Sequence, residues 1–109
     1  MKLPNGERAE IGTKLEDYVL NPLHPHGKHK AVVFEKAGIT LSNAYVLREA
    51  LMEAAAKSDA AESRGDNGFG LVFVLRFPVT TTGGNATVLS AWIVRREEDF
   101  PRLITCYIV

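Results

Sequence analysis

Apolar residues recur along this chain with two different periods, and the change of period divides it into two regions. Up to about residue 57 they are spaced by three and four, as on a helix face. From Phe69 onward they alternate by two, as in half-buried strands. In the first region, Leu15, Tyr18 and Val19 share one face, and Thr13 followed by Glu16 matches a capping box, so a first helix is predicted over about Lys14 to Leu20. Asn21-Pro22 stops it. A second helix is expected over about Lys28 to Ala37, with Ala31, Phe34 and Ala37 inward and Gly38 as its left-handed cap. Thr40 or Ser42 caps a third, which reaches about Lys57 through the strong helix formers Ala54-Ala55-Ala56.

Residues 58–68 are polar, acidic and small, and read as a mobile linker. Strands are then expected over Phe69 to Val79 and Ala86 to Arg96, joined at Gly83-Gly84-Asn85 as a hairpin, with a last strand over about Arg102 to Val109. Arg8 to Ile11 adds a short edge strand. The fold class is α+β in a single domain over residues 1–109: three N-terminal helices packed on one face of a C-terminal antiparallel sheet of three to four strands. Strict alternation in the last strand puts Leu103, Thr105, Tyr107 and Val109 on one face. Ile104, Cys106 and Ile108 are then the apolar core set. Thr105 and Tyr107 are either plain strand formers or two hydroxyls placed to meet a ligand.

Composition narrows the function classes. At 109 residues, 46% hydrophobic and 24% charged, the chain has what an ordinary globular core requires. No stretch approaches the roughly 20 apolar residues of a membrane span, and Met1 to Arg8 lacks the apolar centre of a signal peptide. A cytoplasmic protein without membrane contact is therefore expected. The single Cys106 forms no internal disulfide and no thiolate metal cluster. Thirteen basic residues balance thirteen acidic ones, so overall charge does not mark a nucleic-acid binder. The distribution is uneven: Lys28 and Lys30 with three histidines form one basic island, and Arg95, Arg96 and Arg102 another. Glu49, Glu53, Asp59, Glu62 and Asp66 make the middle acidic. If the two islands meet in space, they make a basic patch on a neutral protein.

The segment His24-Pro25-His26-Gly27-Lys28-His29-Lys30 holds the densest titratable chemistry. Cations in the first turn of a helix oppose its macrodipole, but cations together with free backbone N–H groups suit a phosphate. An imidazole titrates near neutrality and can take or give a proton there. The bland alternatives are that His24 to Gly27 only shape a turn and that Lys28 and Lys30 are solvated. Similarly, Arg95 and Arg96 read as charges protecting a strand edge, and Trp92 as a core anchor. Three histidines without a cysteine, two of them separated by a rigid proline, make a poor zinc site. No metal and no cofactor are expected.

The pattern Lys14-Leu15 to Tyr18, Leu20-Asn21-Pro22, His24-Pro25, Gly27, Lys30-Ala31 and Phe34, with Trp92-Ile93-Val94, Asp99-Phe100-Pro101 and Thr105 to Tyr107 near the end, resembles a family of small bacterial domains of unknown function. These occur alone or at the C-termini of large secreted and phage-derived proteins. Similar segments appear in polymorphic toxin domains assigned to the barnase-EndoU-colicin-RelE class of metal-independent ribonucleases. Similar domains often carry a small residue before the tyrosine and a proline after it, where this chain has Cys106 and Ile108. The resemblance implies an endoribonuclease toxin that cleaves RNA by transphosphoesterification. His24, Lys30, Thr105 and Tyr107 would be its catalytic residues, and Lys28 and Arg95 its substrate-binding cations. The implied partners are RNA and a cognate antitoxin or immunity protein. The alternative is a non-catalytic module that docks a protein through its basic turn. An enzyme requires His24, Thr105 and Tyr107 to converge in one cleft, whereas a docking surface requires only a continuous exposed patch.

Overall fold

A long hairpin forms the centre of the structure. In the computed structural model, which describes residues 1–109, the β-branched and aromatic run after Phe69 becomes Gly70–Thr81 and its partner Gly84–Arg95. The two strands pair antiparallel without interruption, from Gly70 opposite Arg95 to Thr81 opposite Gly84. Gly84 turns the chain with φ 115°, a conformation open to glycine at little steric cost. Arg102–Ile108 lies along one side of this pair and Glu62–Asp66 along the other. In chain order the four are β1 (Glu62–Asp66), β2 (Gly70–Thr81), β3 (Gly84–Arg95) and β4 (Arg102–Ile108), which is also their order in the antiparallel sheet.

One sheet face carries the core. Phe73 lies opposite Trp92, Leu75 opposite Ser90 and Phe77 opposite Val88, and all six are buried. Against them pack two α-helices, α1 (Lys28–Lys36) and α2 (Ala44–Lys57), which supply Phe34, Leu47 and Leu51. Helix α2 is entered through a 3₁₀ turn over Leu41–Asn43, where Thr40 and Asn43 form a reciprocal capping box. Both helices agree closely with the spacing that predicts them.

Four expectations need correction. The stretch read as a mobile linker contains β1, exposed at all five positions; it has no apolar alternation because neither face is covered. The first helix is a single π-helical turn, Leu15–Val19. Its presumed capping box is absent, because the Glu16 carboxylate is drawn to Arg48. The edge strand expected at Arg8 to Ile11 is one parallel bridge, Glu10 to Arg102, beside β4. Finally, strict alternation fails in β4: the register shifts between Ala91, opposite Thr105, and Trp92, opposite Leu103. This bulge turns Leu103 onto the core face with Cys106 and leaves Ile104 half-buried. A bulge of this kind reverses side-chain parity on one strand only.

Ser90, the one polar residue fully within the core, is held from both sides. Its hydroxyl donates to the Leu75 carbonyl at 2.8 Å and accepts from the Trp92 indole at 2.9 Å. Removing the hydroxyl leaves the indole N–H buried without a partner. Ser90→Ala is expected to lower stability by about 1–3 kcal/mol with an unchanged urea m-value, as read from chemical denaturation.

Candidate active site

The start of the chain reaches its last strand through backbone hydrogen bonds. Glu10 N–H donates to Pro101 O and Glu10 O accepts from Leu103 N–H, both at 2.9 Å. From there the π turn runs beside β4, and α1 follows. A tether from α2 fixes the turn: Arg48 donates to both carboxylate oxygens of Glu16, at 2.8 and 3.0 Å, and to Gly12 O at 3.0 Å. The Arg48 bond is the main cause that holds the Glu16 carboxyl below its usual range. The turn and α1 then cross in close contact. A Cβ at Gly27 would lie 1.8 Å from the Tyr18 carbonyl oxygen, so only glycine allows the approach that brings Tyr18 to Lys30.

Lys30 Nζ donates to the Tyr18 phenol oxygen at 2.9 Å, with both side chains half-buried. The ammonium also lies 5.0 Å from the Tyr18 ring centroid and 6.0 Å from that of Tyr107. The bond from Lys30 pulls the Tyr18 phenol below its ordinary range against the opposing effect of burial. The Thr105 hydroxyl and the charges of Lys30 and Lys14 add to that pull. The Thr105 oxygen is itself buried without a hydrogen bond of good geometry, so its contribution is one of proximity. Because Lys30 is the donor, the phenol's own hydrogen is left free for the groove. The His24 ring meets that of Tyr18 edge-on, with centroids 4.8 Å apart.

Three of the four residues expected to be catalytic, His24, Lys30 and Thr105, thus gather around Tyr18, and Tyr107 flanks Lys30. Sequence reasoning named Tyr18 in the resemblance motif but gave it no role. The signal it could have used is that Lys30 alone, among the basic residues at the start of α1, follows the K-L-x-x-Y segment in the motif. Thr105 and Tyr107 lie beyond the bulge and alternate with the buried Cys106. Cys106 lies beneath, its thiol pushed up by burial to about 12 although Lys30 pulls the other way. It is not a nucleophile.

His24 holds the turn that leads into α1. Its Nδ1 accepts from the backbone N–H groups of His26 and Gly27, each at 3.0 Å, and its carbonyl accepts from Lys28 N–H at 3.0 Å. His24 thereby ties the turn ahead of α1 and occupies the amide of Lys28, the first residue of the helix. With Nδ1 committed as an acceptor, the proton of the neutral ring sits on Nε2, where it can only be donated as a hydrogen bond. The His26 ring is exposed and lines the same groove as Tyr18, a depression of about 480 Å³ shared with Thr13, Lys14, Asp17 and His24. Lys28 is exposed on the first turn of α1. Arg95 stands apart, lining a second groove along β4 with Glu10, Lys14 and Arg102. Two cations of the second island are neutralised locally: Arg102 is paired with Glu98 at 2.8 Å and Arg96 with Asp66 at 3.0 Å. No three histidine, cysteine or acidic side chains come together as a metal-binding group, and no helix is long and apolar enough to cross a membrane.

Fold and site together define a small α+β domain with a tyrosine–lysine pair set at the edge of its last strand. The chain belongs to the family described as Domain of unknown function (DUF6883), which it matches over residues 2–109. No curated protein and no solved structure matches it.

Two outcomes test this geometry. In an ultraviolet pH titration, one tyrosine should ionise before the others, and Lys30→Met should return it to the ordinary phenol range. The sign for stability follows: the folded phenol releases its proton at lower pH than the unfolded one, so the pair favours folding increasingly as pH rises into that window. Gly27→Ala should displace the turn, abolish the early-ionising tyrosine and cost about 1–3 kcal/mol, as read from thermal unfolding and the same titration.

Proposed function

We propose that this domain is a metal-independent endoribonuclease of the toxin kind, which cuts RNA by transphosphoesterification at the Tyr18–Lys30 pair. One observation carries the reading. A phenol made more acidic by an ammonium faces a groove that also holds two imidazoles, an arrangement suited to proton transfer beside a phosphate. The 2′-oxygen attacks phosphorus, the bond to the 5′-oxygen breaks, and a 2′,3′-cyclic phosphate remains. Tyr18 gives its proton to the departing 5′-oxygen, and Lys30 stabilises the phenolate left behind and the charge of the crowded phosphorane. His26, whose ring makes no side-chain hydrogen bond, takes the 2′-hydroxyl proton. His24 offers its Nε2–H to a non-bridging oxygen. Thr105 supports the phenol oxygen from below, and Lys28 and Lys14 draw the strand in.

Such an activity is tolerated only beside an inhibitor. An antitoxin or immunity protein with an acidic face would cover the groove by imitating phosphate charge. Leu23, 89% exposed and next to His24 in the chain, gives that partner an apolar contact.

The test is incubation of the purified protein, in EDTA, with a mixed RNA pool that includes tRNA. Cleavage with cyclic-phosphate ends is expected. Tyr18→Phe, still folded, should lower the rate roughly 10²- to 10⁴-fold, the usual contribution of a positioned acid. Intact RNA, or a Tyr18→Phe protein that cuts at the parental rate, would overturn the assignment.

A further inference from the structure

Lys30 hydrogen-bonds a residue of one groove and itself lines another. On one side is the polar groove of Tyr18, His24 and His26. On the other is a separate depression of about 350 Å³ lined by His29, Lys30, Val33, Tyr107 and Ile108. The chemistry of the two differs. The first contains the Asp17 carboxylate, and the second contains no acidic group at all. His29 and Val33 are four residues apart and so share a face of α1. Tyr107 comes from β4 and keeps 37% of its surface exposed; Val33 keeps 44%. Lys30 Nζ lies 5.0 Å from the Tyr18 ring and 6.0 Å from the Tyr107 ring, so the ammonium stands between one tyrosine of each groove.

A nucleic-acid strand whose phosphate rests on that ammonium must send its next nucleotide one way or the other. Toward Tyr107 it meets aromatic and aliphatic surface beside a cation. The part of a nucleotide that matches such a surface is the flat face of the base. Resting on the cleavage reading above, we propose that the His29–Val33–Tyr107 groove is a nucleobase subsite, in which the base next to the phosphate on Lys30 stacks on the Tyr107 ring. A base inside a duplex has both faces covered, so the substrate class is unpaired RNA, as a single strand or a loop. Stacking accepts any base, because each has a π-face, so the subsite selects for strandedness and not for sequence.

The probe is a single-stranded 2′-O-methyl RNA oligonucleotide carrying one 2-aminopurine, which has no attacking hydroxyl and so reports binding alone. With the full chain, its fluorescence should be quenched on binding. Tyr107→Ala should weaken binding roughly ten-fold, within the range for loss of one stacked base, and relieve the quench. Tyr107→Phe, which keeps the ring, should retain both affinity and quench. Equal losses in Tyr107→Phe and Tyr107→Ala would overturn the subsite, because the hydroxyl and not the ring would be the contact. So would a quench that survives Tyr107→Ala in a protein whose thermal unfolding shows it folded. The two proposals fail separately. A ring-dependent quench in a protein that cuts no RNA leaves the subsite standing and removes the cleavage reading. Cleavage with unchanged KM and quench in Tyr107→Ala does the reverse.

Discussion

The pair of backbone hydrogen bonds that Glu10 makes to Pro101 and Leu103 decides where the candidate site can form. Together with the contacts of Asn5 and Arg8 to Asp99, they fix the chain's start against its end and bring Tyr18 toward Thr105. They do a second thing as well. β4 is an edge strand, with unpaired backbone groups along its outer side, and such edges are normally covered or blunted. Here the covering segment is the one that carries Tyr18 and Lys30. The Glu10 bridge closes the beginning of β4, and the π turn and α1 lie along the rest. The groups gathered around Tyr18 thus occupy a seam between a protected edge and the segment protecting it.

Two local devices turn that seam into a defined geometry. Gly27 lets α1 approach the π turn to a distance that any side chain would block, and His24 ties the turn ahead of α1 with its ring and its carbonyl together. Each restricts the direction in which Lys30 leaves α1. Arg48, reaching from α2 to Glu16 and Gly12, restricts the turn that bears Tyr18. The hydrogen bond between phenol and ammonium therefore joins two backbones that are each anchored elsewhere. Such a bond keeps its geometry when a ligand arrives, which is what electrostatic preorganisation requires.

Where the hydrophobic pattern was strong, the fold was legible in the chain. Phe34, Leu47 and Leu51 recur at helical spacing and are fully buried in α1 and α2, and Phe73 to Val79 alternate as a strand with one covered face. Where burial does not write a pattern, reading failed. β1, Glu-Ser-Arg-Gly-Asp, has no apolar residue, because it is held by the backbone of β2 and by ion pairs of Glu62 and Asp66 at the surface and not by burial. The π turn reads as an ordinary helix because Leu15 and Val19 satisfy helical spacing over so short a stretch. The capping box was misplaced for a related reason. Thr13 and Glu16 match its spacing, but a carboxylate within reach of a guanidinium makes a stronger, charge-assisted pair, and the geometry is realised at Thr40 and Asn43 instead.

The candidate site was legible as a set of residues and much less so as a set of roles. The motif that holds His24 and Lys30 and the strand that holds Thr105 and Tyr107 could be picked out because each concentrates polar chemistry in an otherwise plain stretch. Which atom faces which depends on contacts between distant segments. A histidine ahead of a helix can face a ligand or tie the turn that precedes the helix, and the local sequence is the same in either case. Only the Nδ1 contacts to His26 and Gly27 distinguish them. Tyr18 was obscured for the opposite reason. On a helical face it passes for a core residue, and its partner Lys30 passes for a solvated one. The π turn rotates the phenol out of the core, the approach at Gly27 brings the ammonium to it, and two side chains that are each unremarkable alone become a coupled pair.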